Sequence, residues 1–234
     1  YVNTGAYSGH DWFYETAKWM ASKVSVPVAI HLDHGDSFER CMEMLKLGFT
    51  SIMFDGSALP VEENAAATEA VARVCRSFGV PLEAEIGELC RLDDRGNKIG
   101  ASNIADPDVV RQYLKLCHPD SLAIGIGNAH GFYNGSVDIR VEVLEECRKF
   151  TDIPFVLHGC TGMDEELVKR SIDSGVAKIN FGTQVRCQYV NYLKEGLAEG
   201  KDQGHAWKLS QYAELRLRED IKDIIRLAGS KEKA

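Results

Sequence analysis

Residues 26–35 read VPVAIHLDHG: apolar, mostly β-branched residues around Pro27, then His31, Asp33 and His34 in quick succession before Gly35. Such an apolar run is what a buried strand of a parallel sheet looks like. Ionisable groups gather at its carboxyl end because parallel α/β sheets place their binding crevices there. The pattern recurs at SIMFDG (51–56), PLEAEIG (81–87), SLAIGIG (121–127), PFVLHG (154–159) and AKINFG (177–182), giving six expected strands.

Helix-period patterns separate these runs. Phe38, Cys41, Met42 and Leu45 follow the first strand, and Val71, Val74 and Phe78 lead to a stop at Gly79. Asp106 before Pro107 is an N-cap with a first-turn proline, for a helix running through Leu114 and Cys117. Leu167, Val168 and Ile172 belong to a helix that Gly175 ends, and Gln184–Leu197 and Leu209–Leu227 read as two closing helices. The chain opens on a further helix pattern at Trp12, Phe13, Thr16, Trp19 and Met20.

Strand, helix, strand at this spacing implies parallel strands with right-handed crossovers, covered by helices. The expected class is α/β, as one domain over residues 1–234. A (β/α)8 barrel, typically about 250 residues, suits a chain of 234 residues, although six strands are two short of closure. The open doubly wound alternative usually carries a Gly-rich turn after its first strand, and LDHGDS is not one.

The net charge of −8, with acids and bases interspersed, argues against a nucleic-acid or anionic-membrane partner and for a small molecule. Seven scattered cysteines with no CxxC pair read as reduced thiols of a cytoplasmic protein. No run approaches the roughly 18–20 apolar residues of a membrane span.

The expected strand ends carry the chemistry. Any one of His34, His130 and His158 alone reads more readily as a hydrogen-bonded core histidine, but jointly, at the ends of separate strands, they suit a zinc site with three protein ligands and an open position. Asp33 beside them suits a general acid/base, or a carboxylate that orients a histidine. Asp55 and Glu85 suit a second or shifted cation position, or ordinary ion pairs. HGCTGMDEE and INFGTQV each place a small-residue turn and a threonine at a helix start. Gly159, Thr161, Asn180 and Thr183 there suit a phosphate cradle, with helix capping as the alternative for each threonine.

Taken in series, PVAIHLDHG, FTSIMFDGSALPVEEN, LEAEIG, LAIGIGNAHGFY, PFVLHGCTG and AKINFGT resemble the class II, zinc-dependent ketose-bisphosphate aldolases, which include the fructose- and tagatose-bisphosphate enzymes. The resemblance implies a full (β/α)8 TIM barrel, with a first strand, helix and second strand ahead of Tyr1. It implies Zn2+ on His34, His130 and His158, a proton carried by Asp33, and Asp55 and Glu85 at alternative metal positions. Gly131, Gly159, Thr161, Asn180 and Thr183 would hold dihydroxyacetone phosphate, with a monovalent cation (Na+ or K+) near the first two. A phosphorylated sugar as substrate and a homodimer or homotetramer are also implied.

Three departures bear on the substrate. GELCRLDD puts Cys90 and Arg91 where the family's mobile loop has a Gly-Gly pair, and Asp93 where a glutamate acid/base is common. Gly182, at a substrate-binding position, replaces an aspartate typical of the fructose-bisphosphate enzymes, and Asn134 replaces a lysine. These point away from fructose 1,6-bisphosphate and leave cleavage to dihydroxyacetone phosphate intact. Arg91 and Arg186 could read an anionic far end of the substrate, or simply face solvent. The rival readings are a barrel metallohydrolase, using the same centre to activate water, and a non-catalytic structural or regulatory homologue.

Overall fold

The structure, a computed structural model, describes residues 9–87, 90–92, 98–99, 104–131 and 138–233. Helix α1 (His10–Ala21) comes first, then strand β1 (His31–Gly35), α2 (Phe38–Leu47), β2 (Ser51–Phe54), α3 (Val61–Phe78) and β3 (Leu82–Ile86). Short strands β4 (Cys90–Leu92) and β5 (Lys98–Ile99) precede α4 (Pro107–Leu116), β6 (Ser121–Ile124) and β7 (Ala129–His130). Helix α5 (Glu142–Arg148), β8 (Phe155–Leu157), α6 (Glu165–Asp173), β9 (Val176–Ile179), α7 (Thr183–Ala198) and α8 (Ala206–Leu227) complete the order.

Local chemistry sets the boundaries. The Ser37 side chain accepts the Arg40 N–H at the start of α2, and Gly48 closes that helix in the left-handed conformation. Asp106 caps α4 through the Asp108 N–H with Pro107 in the first turn, and Gly79 ends α3. All six expected strands form, but β1 begins at His31 rather than Val26. Val26 and Val28 stay 48% exposed.

Six strands make one parallel sheet in the order β1-β2-β3-β6-β8-β9. Laid flat, its outer strands would stand five inter-strand spacings apart, roughly 24 Å. Instead, the Asn180 side-chain amide beyond β9 reaches Asp33 Oδ1 on β1 at 3.2 Å, and Lys178 Nζ lies 3.5 Å from His31 Nε2. Side chains cannot bridge 24 Å, so the sheet must curl. This is the arc of a barrel: the described residues form six parallel strands curled as in part of a (β/α)8 barrel.

Alternation along the strands sorts the two faces. Leu32, Ile52, Phe54 and Leu82 point outward onto Cys41, Met44 and Leu45 of α2 and Val71 and Cys75 of α3. Ala84, Ile86, Leu122, Ile124, Phe155 and Leu157 pack with Val110 and Tyr113 of α4 and Leu144 of α5. Each large side chain so buried is worth about 1.5–3 kcal/mol. The concave face receives His31, Asp33, Asp55, Glu83, Glu85, His158 and Lys178. A smaller sheet in the order β5-β4-β7, which the sequence patterns do not suggest, pairs beside this mouth.

Candidate metal centre and active site

Adjacent residues of a regular strand point to opposite faces, yet Asp33 and His34 both serve the concave side. The register of β1 against β2 slips between Leu32 and Gly35, and His34 takes φ 52° in the left-handed region. Such a conformation is strained for a residue with a Cβ, on the order of 1–3 kcal/mol, and here the bulge re-aims the ring.

His34, His130 and His158 each offer a ring nitrogen, all within 4.8 Å of one another. Ring centroids lie 5.1 Å (His34 to His130), 4.9 Å (His34 to His158) and 6.0 Å (His130 to His158) apart. His34 Nε2 and His158 Nδ1 face each other at 3.2 Å. The opposite nitrogen of each ring is tied to a carboxylate, His34 Nδ1 to Asp55 Oδ2 at 2.7 Å and His158 Nε2 to Glu83 Oε1 at 2.8 Å. A carboxylate behind an imidazole keeps the proton on the outer nitrogen, so the inner nitrogens present lone pairs to one another. Two lone pairs at that distance need a cation between them.

The electrostatics agree. Burial disfavours a charged His34, but the Asp55 hydrogen bond with the Glu85 and Asp33 charges overrides it and raises the group to about 9. In the metal-free protein a proton therefore fills the role. A divalent ion would replace it, which is a property of the donor set itself. Burial similarly opposes charge on Asp55, yet His34 and Ser57 bring it down to about 2.

A second group, His34, Asp55 and Glu85, also has ligand atoms within 4.8 Å of one another. Glu85 is fully buried, and burial, reinforced by the Asp55 charge, pushes its carboxyl well above the usual carboxylate range. Its Oε2 has no hydrogen-bond partner and lies 3.7 Å from His34 Nδ1. An orphaned buried oxygen beside a histidine fits a cation that moves between two positions.

The loops after β8 and β9 meet at the mouth. Gly159 has φ 63°, and a Cβ there would stand 2.4 Å from the Ala129 carbonyl oxygen, so only glycine lets this loop lie against β7. Gly131, at φ 127°, begins the loop beyond β7. Thr161 is buried, and its Oγ1 accepts the Gln184 N–H at 3.1 Å, which ties the β8 loop to the first turn of α7. Gly182 and Thr183 head that helix, where first-turn amides lack intrahelical acceptors and favour an anion. Arg186 extends back over the same turn: its Nη2 lies 3.4 Å from Thr183 Oγ1, and its Nη1 would stand 3.2 Å from a Cβ at Gly182.

The structure therefore gathers Asp33, His34, Asp55, Glu85, His130 and His158 at one centre. Asn180 joins them through Asp33, and Gly131, Gly159, Thr161, Gly182 and Thr183 line the adjoining loops. Asp93 and Asn134 lie outside the described residues. Motif reading passed over Lys178, and gave His31 and Glu83 no role. Lys178 Nζ and His31 Nε2 meet Glu83 Oε2 at 2.8 Å and 3.6 Å. Burial opposes a charged Glu83, but His158 and Lys178 hold it down at about 2, while burial and Lys178 lower His31 to about 4. The available signal was LEAEI itself, a strand too short and too buried to carry two carboxylates without partners.

A family profile described as fructose-bisphosphate aldolase class-II matches residues 2–233. The chain belongs to that family. It is accordingly an enzyme of the class II aldolase type, a group that typically uses a divalent metal. It is 34% identical over 240 residues to the fructose-bisphosphate aldolase of Staphylococcus epidermidis, spanning 100% of this chain and 83% of that one. It is 40% identical over 161 residues to the 6-phospho-5-dehydro-2-deoxy-D-gluconate aldolase of Bacillus velezensis, covering 69% of this chain and 55% of that one. The crystal structure of the YdjI aldolase from Escherichia coli K12 superposes with TM-score 0.83 at 28% identity, over 99% of this chain and 80% of that one. No helix among the described residues is long and apolar enough to cross a membrane.

Proposed function

We propose that this class II aldolase is zinc-dependent and reversibly cleaves a phosphorylated ketose, a ketose 1-phosphate or 1,6-bisphosphate, into dihydroxyacetone phosphate and an aldehyde. The observation that carries the reading is the trio of imidazoles, two with inward nitrogens 3.2 Å apart and outer nitrogens held by carboxylates. His34, His130 and His158 would hold the ion, with Asp55 and Glu85 offering a shifted position. When bound, zinc supplies Lewis-acid polarisation of the ketose carbonyl.

The chain's own residues do the rest. Asn180 donates to Asp33 Oδ1, which leaves the other carboxylate oxygen for the hydroxyl on the carbon whose C–C bond breaks. Asp33 takes that proton as the aldehyde carbonyl forms, and returns it in the condensation direction. Gly159, Thr161, Gly182 and Thr183 hold the phosphate at the head of α7, where the helix dipole favours its charge. Gly131 and Gly159 are the place for a monovalent cation beside it. Asp93 is the candidate to exchange the second proton.

The aldehyde half is left open by the family itself, since the two relatives above are named for different substrates. Gly182 and Asn134 favour an acceptor other than glyceraldehyde 3-phosphate. The metallohydrolase alternative has no support from the three relatives above, each of which is named an aldolase. The test mixes zinc-loaded protein with dihydroxyacetone phosphate and a panel of aldehydes. Condensation that a chelator abolishes and zinc restores is expected, and no condensation with any acceptor would remove the reading.

A further inference from the structure

Behind His158 stands a chain of contacts that neither holds the ion nor touches the expected substrate position. Glu83, with a side chain 2% exposed, accepts from His158 Nε2 with Oε1 at 2.8 Å and meets Lys178 Nζ with Oε2 at 2.8 Å. His31 closes the cluster, its Nε2 at 3.6 Å from the same oxygen and its Nδ1 at 2.8 Å from Ser51 Oγ. Among the described residues Lys178 is the only strong cation in this cluster, and it enters from the outermost strand, β9, with its side chain 36% exposed.

An imidazole can turn about its Cβ–Cγ bond and exchange which nitrogen faces inward. The carboxylate at Nε2 prevents that, but a carboxylate held at one oxygen can itself rotate. We propose that Lys178 is a positioning residue for the metal centre: by pinning the second oxygen of Glu83, it fixes the His158 ring with Nδ1 turned toward the ion. The pair also spans the sheet, so one ion pair couples the curl of the barrel arc to the orientation of a ligand. This rests on the zinc reading above, and concerns a residue that reading does not use.

The experiment measures metal, not turnover. Zinc affinity is determined by chelator competition for the parent chain, Lys178→Met, Glu83→Gln and the double variant, with the visible spectra of the cobalt forms alongside. Removing a carboxylate behind a ligating histidine weakens metal binding about 10–100-fold, and Lys178→Met, one contact further out, is expected to weaken it about 10-fold. Lys178→Arg restores affinity, the double variant is no weaker than Glu83→Gln, and the cobalt spectrum of Lys178→Met changes shape. Unchanged affinity and spectrum in Lys178→Met, or losses that add in the double variant, would overturn the proposal. Should Lys178→Met not fold, Lys178→Gln takes its place, with a tenfold loss supporting and an unchanged affinity refuting. A parent chain that takes up no zinc sinks the proposed function instead, so the two failures are distinct.

Discussion

The two faces of the sheet are made by the same strands and differ in almost every chemical respect. On β3, Leu82, Ala84 and Ile86 enter the apolar layers beneath the helices, while Glu83 and Glu85, one residue away in each case, enter the concave side. The outer face gains stability from area removed from water and tolerates changes of shape at a graded cost. The concave face holds buried ionisable groups that are destabilising unless each has a partner, and Glu85 Oε2 makes no hydrogen bond and has only His34 Nδ1 nearby, at 3.7 Å. Function is thus placed where the fold is weakest, and stability comes from the other side of the same backbone.

The largest separation of the two faces is expected at Asp33. Asp33→Ala should lower kcat about 10²–10⁴-fold, the usual worth of a positioned acid/base, with zinc content unchanged and melting close to the parent. Steady-state condensation rates alongside metal analysis check it. A variant that loses zinc with its rate would make Asp33 a support for the metal rather than the proton carrier.

The outer face should show the opposite signature. Leu122 is wholly buried on β6 against the helices, and Leu122→Ala should destabilise by about 2–5 kcal/mol in urea unfolding. Zinc affinity at moderate denaturant-free temperature should not move. If the metal weakens in proportion to stability, the two faces are one mechanical unit and their contrast is only chemical.

Much of this division is legible in the sequence, because alternation and capping are local. LEAEI shows its two faces directly, and Asp106-Pro107 and Gly79 mark helix ends through hydrogen bonds and a left-handed turn that lie within a few residues. The centre was legible as residue types at strand ends. What stayed hidden depends on distance and on backbone irregularity. Period-two alternation puts Asp33 and His34 on opposite faces, and only the bulge and the positive φ at His34 bring them together. Lys178 reaches His31 because the sheet curls, across 147 positions of sequence that no local pattern connects. The Val26–Val28 stretch has strand composition but forms no ladder, since a strand needs a neighbour as well as a pattern.

The smallest effect tests the seam between the faces. Thr161 was readable either as a phosphate contact or as a helix cap, and its hydroxyl oxygen accepts the Gln184 N–H of the neighbouring helix. Thr161→Val keeps the volume and removes the acceptor, leaving a first-turn amide without its partner, a loss of about 1 kcal/mol. For a chain of this size that is a fall in Tm of roughly 2–4 °C, small enough to leave the fold intact. Because the same bond locks the β8 loop to the head of α7, the KM for dihydroxyacetone phosphate should rise while kcat holds. A fall in Tm with no change in KM would make Thr161 a cap alone, and would move the phosphate site away from the junction of the two loops.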